Sequence, residues 1–237
     1  VGYPMGMMYG FIYEGTYKYE DFDKVGDTYT LKRNVPYFSS ESNTQPGMPK
    51  YADLNGDGII DDNDRTMIGN GMPKHTGGFT NNFEYKGFDL SIFFQWSYGN
   101  DVLNANRLFF ENSNKTRDLN QYASYANRWT PENPESNIPR ATDSGSNKVF
   151  STRIIEDGSF LRLKTVSLGY TLPKQLTKKW KIDNARVFVA GQNLWTCTGY
   201  SGYDPEVSIR EGALTPGLDF SAYPRAYSIS FGINLGF

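Results

Sequence analysis

Residues 226–237, AYSISFGINLGF, place Tyr227, Ile229, Phe231, Ile233, Leu235 and Phe237 in one phase of a two-residue period. Ala226, Ser228, Ser230, Gly232, Asn234 and Gly236 occupy the other phase. In an extended strand those phases are opposite faces, so one face needs an apolar cover while the other tolerates water or close packing. The same rule governs Phe88, Leu90, Ile92, Phe94, Trp96 and Tyr98, which alternate with Asp89, Ser91, Phe93, Gln95 and Ser97; only Phe93 is out of phase. Ahead of them Phe79, Phe83 and Tyr85 alternate with Thr80, Asn82 and Glu84, and Lys86-Gly87 supplies a tight hairpin turn. A half-buried sandwich hairpin is the plain reading. Tyr85, Trp96 and Tyr98, toward the strand ends, suit instead the aromatic girdle of a membrane barrel.

Composition supports strands and turns. Aromatic residues make up 16% of the chain, and there are 24 glycines. No run of about 18 apolar residues occurs, which excludes transmembrane helices but leaves an alternating barrel open. With a formal net charge of −2, no block of Lys or Arg and no basic helix are expected, so no nucleic-acid partner is expected either. Cys197 is the single cysteine, which rules out an intrachain disulfide. The chain opens on VGYPMGMMYGFIYEGTY without an initiator Met or a signal-peptide pattern, as a piece of a longer polypeptide would.

Three more strands are expected toward the C-terminus. Val166, Leu168, Tyr170 and Leu172 alternate with Ser167, Gly169 and Thr171 until Pro173 stops the ladder. ARVFVAGQNLWT is apolar in both phases, so its faces stay unassigned, and AYSISFGINLGF is the last strand. Residues 3–17, with Tyr9, Phe11 and Tyr13 in phase, predict one further strand. About six strands fall short of the roughly eight that close a barrel. Residues 100–157 form a long polar connection, in which TRDLNQYASYANRW predicts a short helix with Leu119, Tyr122, Ala126 and Trp129 on one face. Minimal turns at one end and long loops at the other fit an outer-membrane barrel. The expected fold class is therefore all-β, a partial antiparallel transmembrane β-barrel.

The strongest chemical motif is DLNGDGIIDDND, residues 53–64. With Asp53 as position 1, Asn55 falls at 3, Asp57 at 5, Gly58 at the sharp turn, the Ile59 carbonyl at 7, Asp61 at 9 and Asp64 at 12. Oxygen ligands at these offsets wrap one hard cation, so Ca²⁺ is the expected cofactor. Asp64 in place of the usual Glu resembles dockerin-type loops. Flanking helices are not evident, and a loop staple is expected rather than a sensor. The alternative is a solvated cluster of Asx turns. His75 and Cys197 have no neighbours that mark a triad or a transition-metal site. The Tyr and Trp residues of GYSGYDPE and RWTPENP either stack on sugars or pack loops together.

Several segments together resemble SusC/RagA-type TonB-linked outer-membrane transporters. They are YADLNGDGIIDDNDRTMIGNGMPKHTGGFTNNFEYKGFDLSIFFQWSYGNDVLN, NRWTPENPESNIPRA, IEDGSFLRLKTVSLGYTLP, VAGQNLWTCTGYSGYDPE and YPRAYSISFGINLGF, in the family's order. The resemblance implies that residues 1–237 are a C-terminal fragment of a TonB-dependent barrel, with residues 53–64 in an extracellular connection. It implies an outer-membrane location in a Gram-negative, Bacteroidetes-like cell. The partners it implies are the remainder of the barrel and its plug, a SusD-like surface lipoprotein, the TonB–ExbB–ExbD complex and the outer-membrane assembly machinery. Tyr227, Phe231 and Phe237 are the residues implied as the signal that machinery reads. The implied activity is import of oligosaccharides, peptides or other nutrients, without catalysis. Two alternatives remain from the residues themselves: a secreted calcium-dependent β-rich glycan hydrolase or accessory module, and a calcium-stapled surface adhesin.

Overall fold

The computed structural model describes residues 2–112, 120–142, 149–206 and 215–237. They divide into two units, one formed by residues 2–72, 101–142, 149–156 and 215–222, the other by 73–100, 157–206 and 223–237.

The second unit is a five-stranded antiparallel sheet. Its strands are β1 (His75–Tyr85), β2 (Phe88–Tyr98), β3 (Phe160–Thr171), β4 (Asn184–Thr198) and β5 (Ser228–Gly236), in the spatial order β5-β4-β3-β2-β1. They run to 11, 11, 12, 15 and 9 residues. About 9–11 tilted residues suffice to cross a bilayer. Lys86 and Gly87 both take positive φ, 45° and 88°, as a two-residue hairpin turn requires.

Register carries the alternation from strand to strand. Phe88 pairs with Tyr170, Tyr170 with Val187 and Val187 with Ile233; one step along, Leu90, Leu168, Val189 and Phe231 form a second row. This settles the ambiguous strand β4, because Val187 and Val189 share the face of Ile233 and Phe231 while Phe188 covers Gly232 on the other. Phe93, out of phase in the sequence, likewise lies on the second face and covers Gly78. Register shifts at Phe93/Phe94 and at Leu163/Thr165 accommodate Lys164 without flipping the rows beyond. The first face is left bare: Phe231 is 82% exposed and Ile233 68%. Among the described residues β1 and β5 are unpaired on their outer edges. A sheet with two open edges and an apolar face needs both more strands and a nonaqueous surround.

The connection from β3 to β4 folds into a helical turn, α1 (Lys174–Thr177), and a 3-10 turn over Lys178–Trp180. This corrects the expectation of no basic block, because Lys174, Lys178, Lys179 and Lys181 crowd one short connection and are all exposed. The chain-wide charge balance hides so local a cluster. Among the described residues, no helix is long and apolar enough to cross a membrane.

The first unit is built from short ladders around two aromatic clusters. Phe11, Tyr51 and Ile60 form one, packed by Tyr13 and Phe38; Tyr17, Phe22 and Leu31 form the other, packed by Tyr29, Tyr37 and Met48. Residues 3–17 are therefore not a further strand of the large sheet. They split into Met7–Gly10, paired with Thr66–Asn70, and Tyr13–Thr16, paired with Pro49–Tyr51. At the break the backbone of Phe150 comes close: Phe11 N–H donates to the Phe150 carbonyl at 3.0 Å, and a Cβ on Gly10 would stand 2.4 Å from that oxygen. Phe11, only 2% exposed, then turns into an aromatic core instead of out to a lipid face.

The long connection is ordered by strand Asp101–Asn104, helix Asn106–Phe110, a 3-10 turn over Ala123–Asn127 and strand Ile155–Asp157. The expected helix is thus only a 3-10 turn that buries Tyr125, with Trp129 buried just beyond it, while Tyr122 and Ala126 stay exposed and Leu119 lies outside the described residues. A buried charge network ties this stretch together: Glu111 accepts from Arg107 at 3.0 Å, Arg153 at 2.8 Å and Ser124 at 2.6 Å. Burial lowers the Arg153 pKa, an effect that the facing Glu111 carboxylate opposes.

Candidate functional site

Among the described residues, the polar face of the sheet carries two groups of ion pairs. Arg186 of β4 donates through Nε to Asp89 Oδ1 of β2 at 2.8 Å and through Nη2 to Asp89 Oδ2, passing over Gly169 of the intervening β3. Toward the opposite ends of the strands Arg162, only 2% exposed, donates to Asp204 at 2.5 Å and to Glu206 at 3.2 Å. Glu206 also pairs with Arg225 at 2.9 Å and Lys164 at 3.5 Å. Burial of the Asp204 carboxyl raises its pKa, but Arg162 and the backbone N–H groups of Arg225 and Glu206 outweigh that and hold it below the ordinary carboxylate range. Asp204 and Glu206 belong to the GYSGYDPE stretch, where the sequence draws attention to aromatics. Tyr200 is buried there and Tyr203 is exposed, and Trp129 of the other platform is buried under Arg140. Tyr200 and Trp129 thus pack loops, while Tyr203 is exposed.

The apolar face ends in aromatic rows. Tyr85, Phe88 and Tyr170 mark the tight-turn end, and Trp96, Tyr98 and Trp195 mark the other. His75 is absorbed into the second row: it stacks on Tyr98 and accepts a hydrogen bond from Trp96 Nε1 at 3.1 Å. Tyr227, Phe231 and Phe237 share the phase of this face along and beside β5, with exposures of 75%, 82% and 85%.

The acidic loop leaves strand Pro49–Tyr51 and returns into strand Thr66–Asn70. Ile60, 1% exposed, roots it in the Phe11–Tyr51 cluster, and Ile59–Ile60 pair in parallel with Tyr37–Phe38. Asp53 accepts from the N–H of Gly56 at 2.7 Å and of Gly58 at 2.8 Å. Asn55 accepts from Asp57 N–H at 2.9 Å, Asp57 from Ile59 N–H at 2.8 Å, and Asp61 from Asn63 N–H at 2.7 Å. Asp64, wholly buried, accepts from Leu54, Asn55 and Asp61. Burial pushes its pKa up, but those three amides prevail and keep it below the usual range.

Among the described residues no three acidic, imidazole or thiol side chains converge tightly enough to hold a metal ion. The donor set is nonetheless all oxygen, which fits a hard cation, and an oxygen that accepts one N–H keeps a further lone pair; Asp64 Oδ1, which accepts from both Leu54 and Asn55, is the exception. Sequence spacing supplies the candidate ligands only. Ile60, which fixes the loop, and the amides that close it carry no signal in the motif.

One face apolar and unpartnered, the other lined with ion pairs, and aromatic rows at both ends define a membrane-spanning portion of an antiparallel β-barrel. No family model matches the chain. TonB-dependent receptor P3 of Formosa agariphila is 35% identical over 243 residues, covering 100% of this chain and 22% of that protein. TonB-dependent receptor SusC of Bacteroides thetaiotaomicron is 27% identical over 198 residues, 83% of this chain and 18% of that protein. Among solved structures, the RagAB peptide transporter superposes with a TM-score of 0.72 at 27% identity, over 100% of this chain and 23% of that one. The chain thus spans about a fifth of the length of the proteins it matches. It corresponds to part of a SusC/RagA-type TonB-linked outer-membrane transporter, and its place is the outer membrane.

Proposed function

We propose that the chain is the closing, C-terminal part of the barrel of a nutrient importer that takes up oligosaccharides or peptides. Similarity along the whole chain to TonB-dependent receptors, together with a sheet that has one lipid-like face, carries this reading. In it, a SusD-like surface lipoprotein captures the nutrient, and the TonB–ExbB–ExbD complex supplies the energy by acting on a plug elsewhere in the protein. The residues of this chain bind and shape without reacting: the ion pairs of the polar face line the water-filled side. The loop of Asp53, Asn55, Asp57, Ile59, Asp61 and Asp64 holds Ca²⁺ as a staple on an external connection. Tyr227, Phe231 and Phe237 present the signal for the assembly machinery.

The experiment is growth of a strain lacking the full-length gene on single oligosaccharides and single peptides, with and without a functional TonB system. Loss of growth on one nutrient class, reproduced by TonB loss, supports the reading. Unimpaired uptake of every nutrient, or recovery of the full-length product as a soluble secreted protein, overturns it.

A further inference from the structure

The segment between β3 and β4 is more elaborate than a turn of minimal length. Its sequence, PKQLTKKWKI, contains no acidic residue and four lysines. Among the described residues Lys174, Lys178, Lys179 and Lys181 form no ion pair. Leu176 and Trp180, one helical turn apart, are 51% and 68% exposed. The segment is nevertheless firmly seated. Thr177 is buried at 1%, Ile182 N–H donates to the Thr177 carbonyl at 3.2 Å, and Asp183 N–H donates to the Gly236 carbonyl at 2.8 Å.

An ordered segment that holds a Trp and a Leu outward among unpaired ammonium groups has no partner within its own unit. It lies at the end of the sheet marked by Tyr85, Phe88 and Tyr170, beside the turn that adds Lys86; Thr171 N–H donates to the Gly87 carbonyl at 2.7 Å. Trp beside lysines is the side-chain chemistry of a bilayer interface, with the ring at the boundary between head groups and acyl chains and the ammonium groups on phosphates.

We propose that residues 172–182 form an interfacial anchor that binds anionic phospholipid head groups in the leaflet on the tight-turn side. This rests on the membrane-spanning reading of the sheet. Leu176 and Trp180 seat the segment, and the four lysines select negative lipid over zwitterionic lipid. An acidic soluble protein would satisfy the lysines as well, but it would leave the exposed indole and Leu176 without an apolar environment.

The test uses the full-length receptor in nanodiscs of mixed phosphatidylglycerol and phosphatidylethanolamine, followed by native mass spectrometry of the lipids retained on release. A severalfold preference for phosphatidylglycerol is expected in the wild type. Replacing all four lysines by Gln (Lys174→Gln, Lys178→Gln, Lys179→Gln, Lys181→Gln) should abolish it, and the corresponding Arg replacements should keep it. Equal retention of both lipids by the wild type overturns the proposal, whether or not the Gln variant assembles. So does a preference that survives in the Gln variant or is lost in the Arg variant. Heat-modifiable migration on gels, measured on the same samples, reports the barrel itself, so its absence in the wild type would locate the failure in the membrane reading instead.

Discussion

Arg186 on β4 reaches across β3 to pair with Asp89 on β2, joining two strands that are not neighbours in the sheet. The bridge exists because Gly169, paired with Asp89 on one side and with Phe188 on the other, leaves a gap in the intervening strand. A Cβ at that position would stand 2.3 Å from Arg186 Nη2. The shape of the polar face is thus set by an absence of side chain as much as by the charges.

Gly169→Val in the full-length protein is expected to cost about 1–3 kcal/mol, the usual range for overpacking. Asp89→Asn should cost under about 1 kcal/mol, because the two side chains are still a quarter to a third exposed, where an ion pair contributes little. Thermal loss of the heat-modifiable gel band compares the two. A larger effect from Asp89→Asn would show that charge, and not the opening at Gly169, governs the site.

Asp204 behaves differently because it is buried against Arg162 with side-chain exposures of 5% and 3%. Asp204→Ala leaves a buried guanidinium without its nearest carboxylate and is expected to cost about 3–5 kcal/mol. Its pH dependence follows from a carboxyl whose folded pKa is depressed. The contribution is fully present above the unfolded value of about 4 and is lost as pH falls through the lower folded value. Thermal melts of wild type and Asp204→Ala should therefore diverge at neutral pH and converge in acid.

Much of the sheet was legible because its information is local. Alternation in Phe88–Tyr98 and Tyr227–Phe237 survives in the structure, and Lys86-Gly87 turns where a tight hairpin should. Residues 3–17 misled for a physical reason: Tyr9, Phe11 and Tyr13 alternate just as a membrane strand does, and only contact with Phe38, Tyr51 and Ile60 reveals an aromatic core. The charge pairs of the polar face were illegible altogether. Asp89 and Arg186 are 97 residues apart, and Arg162 and Glu206 are 44 apart, so no spacing rule connects them. For the acidic loop the spacing offers candidate oxygen ligands, but it does not tell that Ile60 roots the loop in a core or that the loop's own amides close it.

For that loop, calorimetry with the full-length protein should show calcium binding in the range of about 10⁻⁴ to 10⁻³ M typical of extracellular modules. Asp57→Ala should remove the heat while leaving the fold intact, since Asp57 is exposed and its bonds lie within the loop. Asp64→Ala should instead disturb the loop with or without calcium, because it strips three backbone N–H groups of a buried acceptor. Chelator should speed proteolysis within residues 53–64 of the wild type. Absence of heat at millimolar calcium would reduce the motif to a set of Asx turns.

The aromatic residues around β5 separate stability from assembly. Phe231 lies mid-strand, opposite Val189, on the face that meets lipid. Phe231→Ala should cost the inserted barrel about 1.5–3 kcal/mol, the transfer value of one large apolar side chain. Phe237 lies one residue beyond the strand and makes no comparable row contact, so Phe237→Ala should leave the melt of inserted protein nearly unchanged. If the assembly machinery reads it, the same substitution lowers the amount inserted. Surface labelling of intact cells measures that amount, and the gel-shift melt measures stability on the molecules that arrive. Full insertion of Phe237→Ala would remove its role as a signal, and a large fall in its melt would make it an ordinary packing residue.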